Sequence, residues 1–85
     1  MQLTILYFAR MREAVGRARE IVEPPATVKS LGQLRMWMIS RGEPWSSAFF
    51  QVQPLRIALD LEVSGEDAIL RDGAEVAFFP PVTGG

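Results

Sequence analysis

The 85 residues include no cysteine and no histidine. Disulfide frameworks, thiolate metal sites, thiol nucleophiles and imidazole bases are therefore excluded together. Carboxylates remain, but they are scattered singly apart from Glu66-Asp67. That pair follows Ser64-Gly65, and turn chemistry accounts for it better than a metal-ligand set does. Ser46 and Ser47 have no base to activate them and read as residues that begin or cap a short helix. What is left to react is the end of the chain. Gly84-Gly85 presents a carboxylate with no side chain on either of the last two residues, so nothing crowds its carbonyl carbon and the backbone is thin enough to enter a narrow channel. Such an end suits activation as an acyl-adenylate followed by attack of a nucleophile. Upstream, Pro80 and Pro81 each fix φ and lack an N–H, which stiffens the approach and prevents it from continuing a sheet ladder. A frayed, glycine-tolerant terminus is the plainer reading of the same residues.

Composition narrows the class. Hydrophobic residues make up 48% and charged residues 22%, as in an ordinary globular domain near the smallest size that sustains one core. The net charge of −1 and the lack of a basic block remove the electrostatic footprint of a nucleic-acid binder. Arg10, Arg12, Arg17 and Arg19 cluster, but Glu13, Glu20 and Glu23 interleave with them, which predicts a solvated face. No apolar run is long enough to span a bilayer and the N-terminus does not have the order of a signal peptide, so a cytoplasmic location is the default expectation.

The elements that must carry the end follow from periodicity. Gln2 to Phe8 reads as a strand with Leu3, Ile5 and Tyr7 on one face and Leu6 and Phe8 on the other, apolar on both sides as a central strand is. Ala9 to Val15 is a short helical or turn segment closed by Gly16. Arg17 to Glu23 is a polar strand ended by Pro24-Pro25, and its charges fit an edge. Thr27 is the expected N-cap of a helix running to about Arg41, with Gly42 past its end and Val28, Leu31, Leu34 and Met38 as its buried stripe, flanked by Trp37. Gly32 inside that helix suggests close packing against the sheet. Glu43-Pro44 opens a second short segment through Phe50, anchored by Trp45, Phe49 and Phe50. Leu55, Ile57 and Leu59 alternate with Arg56, Ala58 and Asp60 as a strand, Leu61 to Val63 returns after a tight turn, and Asp72-Gly73 leads into a last strand from Glu75 to Phe79. A helix crossing one face of a small mixed sheet, with the first and last strands adjacent and parallel in the middle, accounts for this order. Those two strands are also the most apolar, as central strands are, and an open α+β sandwich is the other arrangement. The expected class is α+β: a β-grasp domain over residues 1–79, with a mixed sheet and one long helix on one face, followed by an extended tail over residues 80–85.

Two stretches carry a resemblance. Tyr7-Phe8-Ala9-Arg10-Met11-Arg12-Glu13-Ala14-Val15-Gly16 resembles the opening, and Leu70 through Gly85 the closing block, of the small, sulfur-carrying subunit of molybdopterin synthase, a ubiquitin-like family. The likeness spans the chain and is loosest from Arg41 to Pro54. Gly-Gly alone would suggest only a ubiquitin-like end; Phe78-Phe79-Pro80-Pro81-Val82-Thr83-Gly84-Gly85 points to the molybdopterin branch. Asp60 stands where the family usually has asparagine in a strand-end turn, which puts in question any hydrogen bond that needs an amide donor.

The resemblance implies a carrier that is not an enzyme on its own. Gly85 would be adenylated by an E1-like activating enzyme using ATP and magnesium, converted to a thiocarboxylate, and inserted into the large synthase subunit. There its sulfur would pass to cyclic pyranopterin monophosphate, with Pro80, Pro81, Val82, Thr83 and Gly84 as the docking tail. A heterotetramer with the large subunit is implied, and no cofactor bound by the chain itself. Phe8 and Phe79, set opposite the helix-covered face, are the expected partner-binding face; partial burial beneath the Trp45 to Phe50 segment is the other possibility. Alternatives are a sulfur carrier for thiamine or tRNA thiolation, a ubiquitin-like protein modifier, or an interaction domain with an inert tail.

Overall fold

The computed structural model describes residues 1–81. Eight elements follow in order: β1 (Leu3–Tyr7), α1 (Ala9–Val15), β2 (Arg19–Val22), α2 (Leu31–Ser40), α3 (Trp45–Gln51), β3 (Arg56–Leu59), β4 (Glu62–Val63) and β5 (Glu75–Phe79). The strands form one sheet in the order β2-β1-β5-β3-β4. β1 and β5 run parallel with Tyr7 opposite Phe78, while β2 and β3 flank them antiparallel. This is the β-grasp arrangement, with the two most apolar strands at its centre. Its longest helix has ten residues, and seven-residue helices stand on either side of it in sequence.

Alternation decides which side of each strand is sealed. Leu3, Ile5 and Tyr7 of β1, Ile57 of β3, and Val76 and Phe78 of β5 are buried. Met11 and Val15 of α1, Leu31, Leu34 and Met38 of α2, and Ala48 and Phe49 of α3 belong to the same cluster. Phe78 lies at its centre, edge-on to Phe49 at 5.0 Å and stacked with Tyr7 at 6.2 Å between ring centroids.

The structure corrects four local expectations. The long helix starts at Ser30, not Thr27: Ser30 Oγ accepts the Gln33 amide while Gln33 Oε1 accepts the Ser30 amide, a reciprocal capping box. Thr27 lies in a turn before it, where Val28 N donates to Pro25 O, and Ser30 itself is held extended by a bridge to Ile69. Gly32 packs closely, but against the β4–β5 connection and not the sheet. Its N–H donates to Glu66 O at 3.0 Å, and a Cβ would lie 2.9 Å from Glu66 Oε1 and 3.0 Å from Glu66 Cβ. Phe50 anchors nothing; it is 81% exposed, because one helical step rotates it away from the inward-facing Phe49. Glu20 does not belong to a solvated face, since its side chain is only 9% exposed.

Gly16 supplies the left-handed end of α1 at φ 85°, and its N–H returns to Arg12 O. The tight turn after β3 places Asp60 and Leu61 at positive φ. There the Asp60 carboxylate accepts Glu75 N through Oδ1 and Arg71 Nη2 through Oδ2, both at 2.9 Å. Both carboxylate oxygens act as acceptors, so the turn makes no use of an amide donor. These bonds, the backbone one first, hold the Asp60 carboxyl below the usual carboxylate range.

Candidate functional site

The last strand aims the tail. β5 ends at Phe79, and Pro80 and Pro81 follow, half-buried. With no N–H, neither proline can extend the ladder, so the chain must leave the sheet there. Of the predicted tail, Val82, Thr83, Gly84 and Gly85 lie outside the described residues. The exit stands beside the end of β1, where Phe8 N donates to Phe78 O at 3.2 Å. Phe8 also turns the chain into α1, its carbonyl accepting Met11 N and Arg12 N.

The parallel register places Phe8 and Phe79 one step beyond the Tyr7–Phe78 pair, on neighbouring strands at the exit. Phe8 is 50% exposed and Phe79 half-buried; neither belongs to the core cluster. They continue onto the uncovered side of the sheet. Across that side Arg19, Leu6, Ala77, Ala58 and Val63 fall in one row spanning all five strands, because each is the register partner of the next. Leu6, Ala77 and Ala58 are half-buried, and Val63 is exposed. Arg56 stands opposite Phe79, so the apolar strip has a basic border. The sequence reading found the two phenylalanines but did not single out Leu6, Ala58 or Val63. Strand alternation was the signal for Leu6, and pairing across β3 and β4 for the others.

On the covered side a polar cluster fixes the helices to the sheet. Glu20 Oε2 accepts the Tyr7 hydroxyl at 2.7 Å and Trp45 Nε1 at 3.0 Å, and Oε1 accepts Arg41 Nη2 at 3.0 Å. The Arg41 guanidinium lies 3.8 Å from the Trp45 ring centroid and 5.3 Å from that of Trp37, and Arg17 approaches Trp45 from 5.4 Å. Burial alone would raise the Glu20 carboxyl, but the hydrogen bonds from Arg41, Tyr7 and Trp45 and the guanidinium charge prevail and lower it. Burial first, and then the Glu20 carboxylate, pushes the Tyr7 hydroxyl far above the ordinary phenol range. An ionised Glu20 that accepts from a neutral tyrosine is a structural joint, with no proton left to trade near neutral pH.

Among the described residues no group of three acidic side chains is placed to hold a metal ion. The concavities there are open and bordered by charged side chains. One, of about 690 Å³, is lined by Ala9, Arg10, Arg12, Glu13, Gly16, Arg17 and Ala18. Such a groove lacks the apolar enclosure that small-molecule sites share. No described helix is long and apolar enough to cross a membrane. The described part of the chain thus presents a sheet face and a tail exit.

The molybdopterin synthase sulfur carrier subunit of Escherichia coli (strain K12) is 37% identical over 83 residues, covering 98% of this chain and 99% of that protein. The subunit of the same description from Haemophilus influenzae is 32% identical over 84 residues, with 98% and 99% covered. Among solved structures, the small archaeal modifier protein 1 of Haloferax volcanii superposes with a TM-score of 0.77 at 19% identity, over 95% of this chain and 98% of that one. A protein–protein complex of subunits 1 and 2 of molybdopterin-converting factor from Helicobacter pylori 26695 includes a chain with a TM-score of 0.68 at 20% identity, both chains covered fully. These two likenesses establish the fold. The family model that matches residues 5–85 is that of the ThiS family, and the chain belongs to it.

Proposed function

We propose that this chain is the sulfur-carrier subunit of a molybdopterin synthase. The observation that carries the reading is the end-to-end identity of 37% with a protein of that description. The family match runs through Gly85, the residue given the chemistry. An E1-like enzyme joins the Gly85 carboxylate to the α-phosphate of ATP, with magnesium, and pyrophosphate leaves. Sulfide-level sulfur from a donor then attacks the acyl carbon, AMP leaves, and the product is a thiocarboxylate. In the large subunit the thiocarboxylate sulfur displaces an oxygen substituent from the side chain of the pterin precursor, cyclic pyranopterin monophosphate, forming an acyl thioester. Water cleaves the resulting acyl–sulfur bond, so sulfur stays on the pterin and Gly85 returns as a carboxylate. Two charged carriers supply the two dithiolene sulfurs.

The division of labour suits the chain's composition. With no cysteine or histidine, it offers a side-chain-free acyl group and leaves acid–base groups to its partners. In this reading residues 1–79 are the docking body and Pro80, Pro81, Val82, Thr83 and Gly84 the tether to Gly85. Phe8 and Phe79 press the open sheet face against the large subunit in a cytoplasmic heterotetramer.

Intact-mass spectrometry tests the chemistry. After incubation with the activating enzyme, ATP and a sulfur source, a fraction about 16 Da heavier is expected, from sulfur replacing oxygen at Gly85. Only the unmodified mass, or conjugates to target lysines in place of a free thiocarboxylate, would overturn the carrier reading. Gly84→Val tests the narrow-channel requirement: molybdopterin formation should be lost while the unfolding midpoint stays at the wild-type value.

A further inference from the structure

The free edge of β2 is built to pair with itself. Tyr7 N donates to Ala18 O at 2.9 Å, and the register sets Ile5 opposite Glu20 and Leu3 opposite Val22. Antiparallel ladders alternate bonded and non-bonded pairs, so Glu20 and Val22 turn their backbone groups towards β1. Arg19 and Ile21 therefore turn theirs outwards along the sheet edge. The next position in this alternation is Glu23, which precedes Pro24 and is thereby biased to extended backbone. Arg19, Ile21 and Glu23 share the uncovered side of the sheet, all three exposed, with Ile21 at 58%.

An outward row reading basic, apolar, acidic is complementary to its own antiparallel copy. We infer that the β2 edge binds the β2 edge of a second copy of this chain, antiparallel and centred on Ile21. Each Ile21 then faces its counterpart across the two-fold axis, and each Arg19 faces Glu23 of the second copy. Every one of these pairs exchanges N–H···O=C bonds in both directions, since these are the residues with outward-facing backbone groups. Neighbouring registers do not share the match. Centring on Arg19 or on Glu23 opposes like charges, and centring on Glu20 sets Arg19 against Ile21. Edge charges normally discourage pairing by repulsion, and here the two-fold turns the same charges into attraction. The two uncovered sheet faces become continuous across the joint, with β1 lying between β2 and β5 in each copy. So short an edge makes a transient interface, weaker than a standard one.

Sedimentation equilibrium on the full chain, with amide exchange followed by NMR, tests this. Dimerisation should appear below about 1 mM. The Arg19, Ile21 and Glu23 amides should become protected as concentration rises, while those of Glu20 and Val22 are protected throughout. Arg19→Glu and Glu23→Arg should each weaken association by about tenfold, and the double variant should restore it. Both substitutions are on exposed positions, and an unchanged amide spectrum elsewhere confirms the fold. A chain monomeric up to about 1 mM overturns the proposal. So does a dimer indifferent to the single reversals, or a double variant as weak as the singles.

Discussion

Along β5 every second residue is sealed and its neighbours are not. Val76 and Phe78 are fully buried, while Ala77 and Phe79, on the same five-residue strand, remain partly open. Both sets are apolar, so hydrophobicity does not distinguish them. What separates them is whether the rest of the chain supplies a cover. Three short helices contribute side chains to one face and none to the other. The covered face converts its apolar surface into stability. The open one holds its apolar surface in reserve, beside the point where the tail leaves. In a domain this small, leaving a sheet face uncovered is a costly omission unless another molecule completes it.

The sharpest way to break that contrast is to truncate one ring from each set. Phe78→Ala removes a ring wedged between Tyr7 and Phe49 and should cost about 3–5 kcal/mol, much of the stability of so small a domain. Phe79→Ala, one residue on, should cost under about 1 kcal/mol. Its effect should appear instead in binding to the large synthase subunit, weakened at least about tenfold, equivalent to about 1.4 kcal/mol. Paired denaturant titrations and binding isotherms check both. Equal stability losses for the two variants would abolish the distinction between the faces.

The Glu20 joint sharpens the covered side. Glu20→Ala removes the acceptor of Tyr7, Trp45 and Arg41 together and should cost about 2–3 kcal/mol; Glu20→Gln, which keeps an acceptor but no charge, should cost about 1 kcal/mol. The sign with pH follows from the lowered carboxyl. As pH falls, the unfolded chain takes up this proton first, near the ordinary glutamate value of about 4.3, and the folded chain only at lower pH. The contribution of the charge is therefore complete above that value and lost as pH falls through the folded one. Wild type should lose its advantage over Glu20→Gln across that acidic window. A difference constant from neutral pH to pH of about 3 would show that charge plays no part in the joint.

The same contrast explains what could be read in the sequence. Period-two alternation made β1, β3 and β5 legible, and the charge of β2 marked it as an edge. Gly16 and Asp72-Gly73 marked turns by their own chemistry. The start of α2 was legible but misread: Gln33 stands three residues after Ser30, the spacing of a capping box, whereas Ser30 stands at that distance from Thr27. Other features depend on residues far apart in the chain. Gly32 is explained by Glu66, and Glu20 leaves the surface because Arg41 and Trp45 reach it from α2's end and α3. No local pattern encodes such meetings. The candidate face was legible because alternation already separates Phe79 from Phe78. Val82 to Gly85 lie outside the described residues, so for them the sequence and the family match are the whole basis.

The smallest effect is expected at Asp60. An asparagine there could still accept Glu75 N through its side-chain oxygen, and it tolerates positive φ at least as well. It would lose the ion pair with Arg71, but that pair is exposed on both sides and screened by solvent. Asp60→Asn should therefore shift the unfolding midpoint by less than about 3 °C at neutral pH, and binding to the large subunit should stay unchanged. Its signature is the response to acid. The Asp60 carboxyl is held low, chiefly by the Glu75 amide, so its contribution is present above the ordinary aspartate range and fades as pH falls below it. The midpoints of the two proteins should therefore converge or cross on acidification, with asparagine the more tolerant. Asp60→Ala is the control, because it removes the acceptor of the Glu75 amide as well and should lower the midpoint at every pH. If Asp60→Asn proved as damaging as Asp60→Ala, the turn would depend on the carboxylate charge itself, and the exposed Arg71 pair would matter far more than its solvation allows.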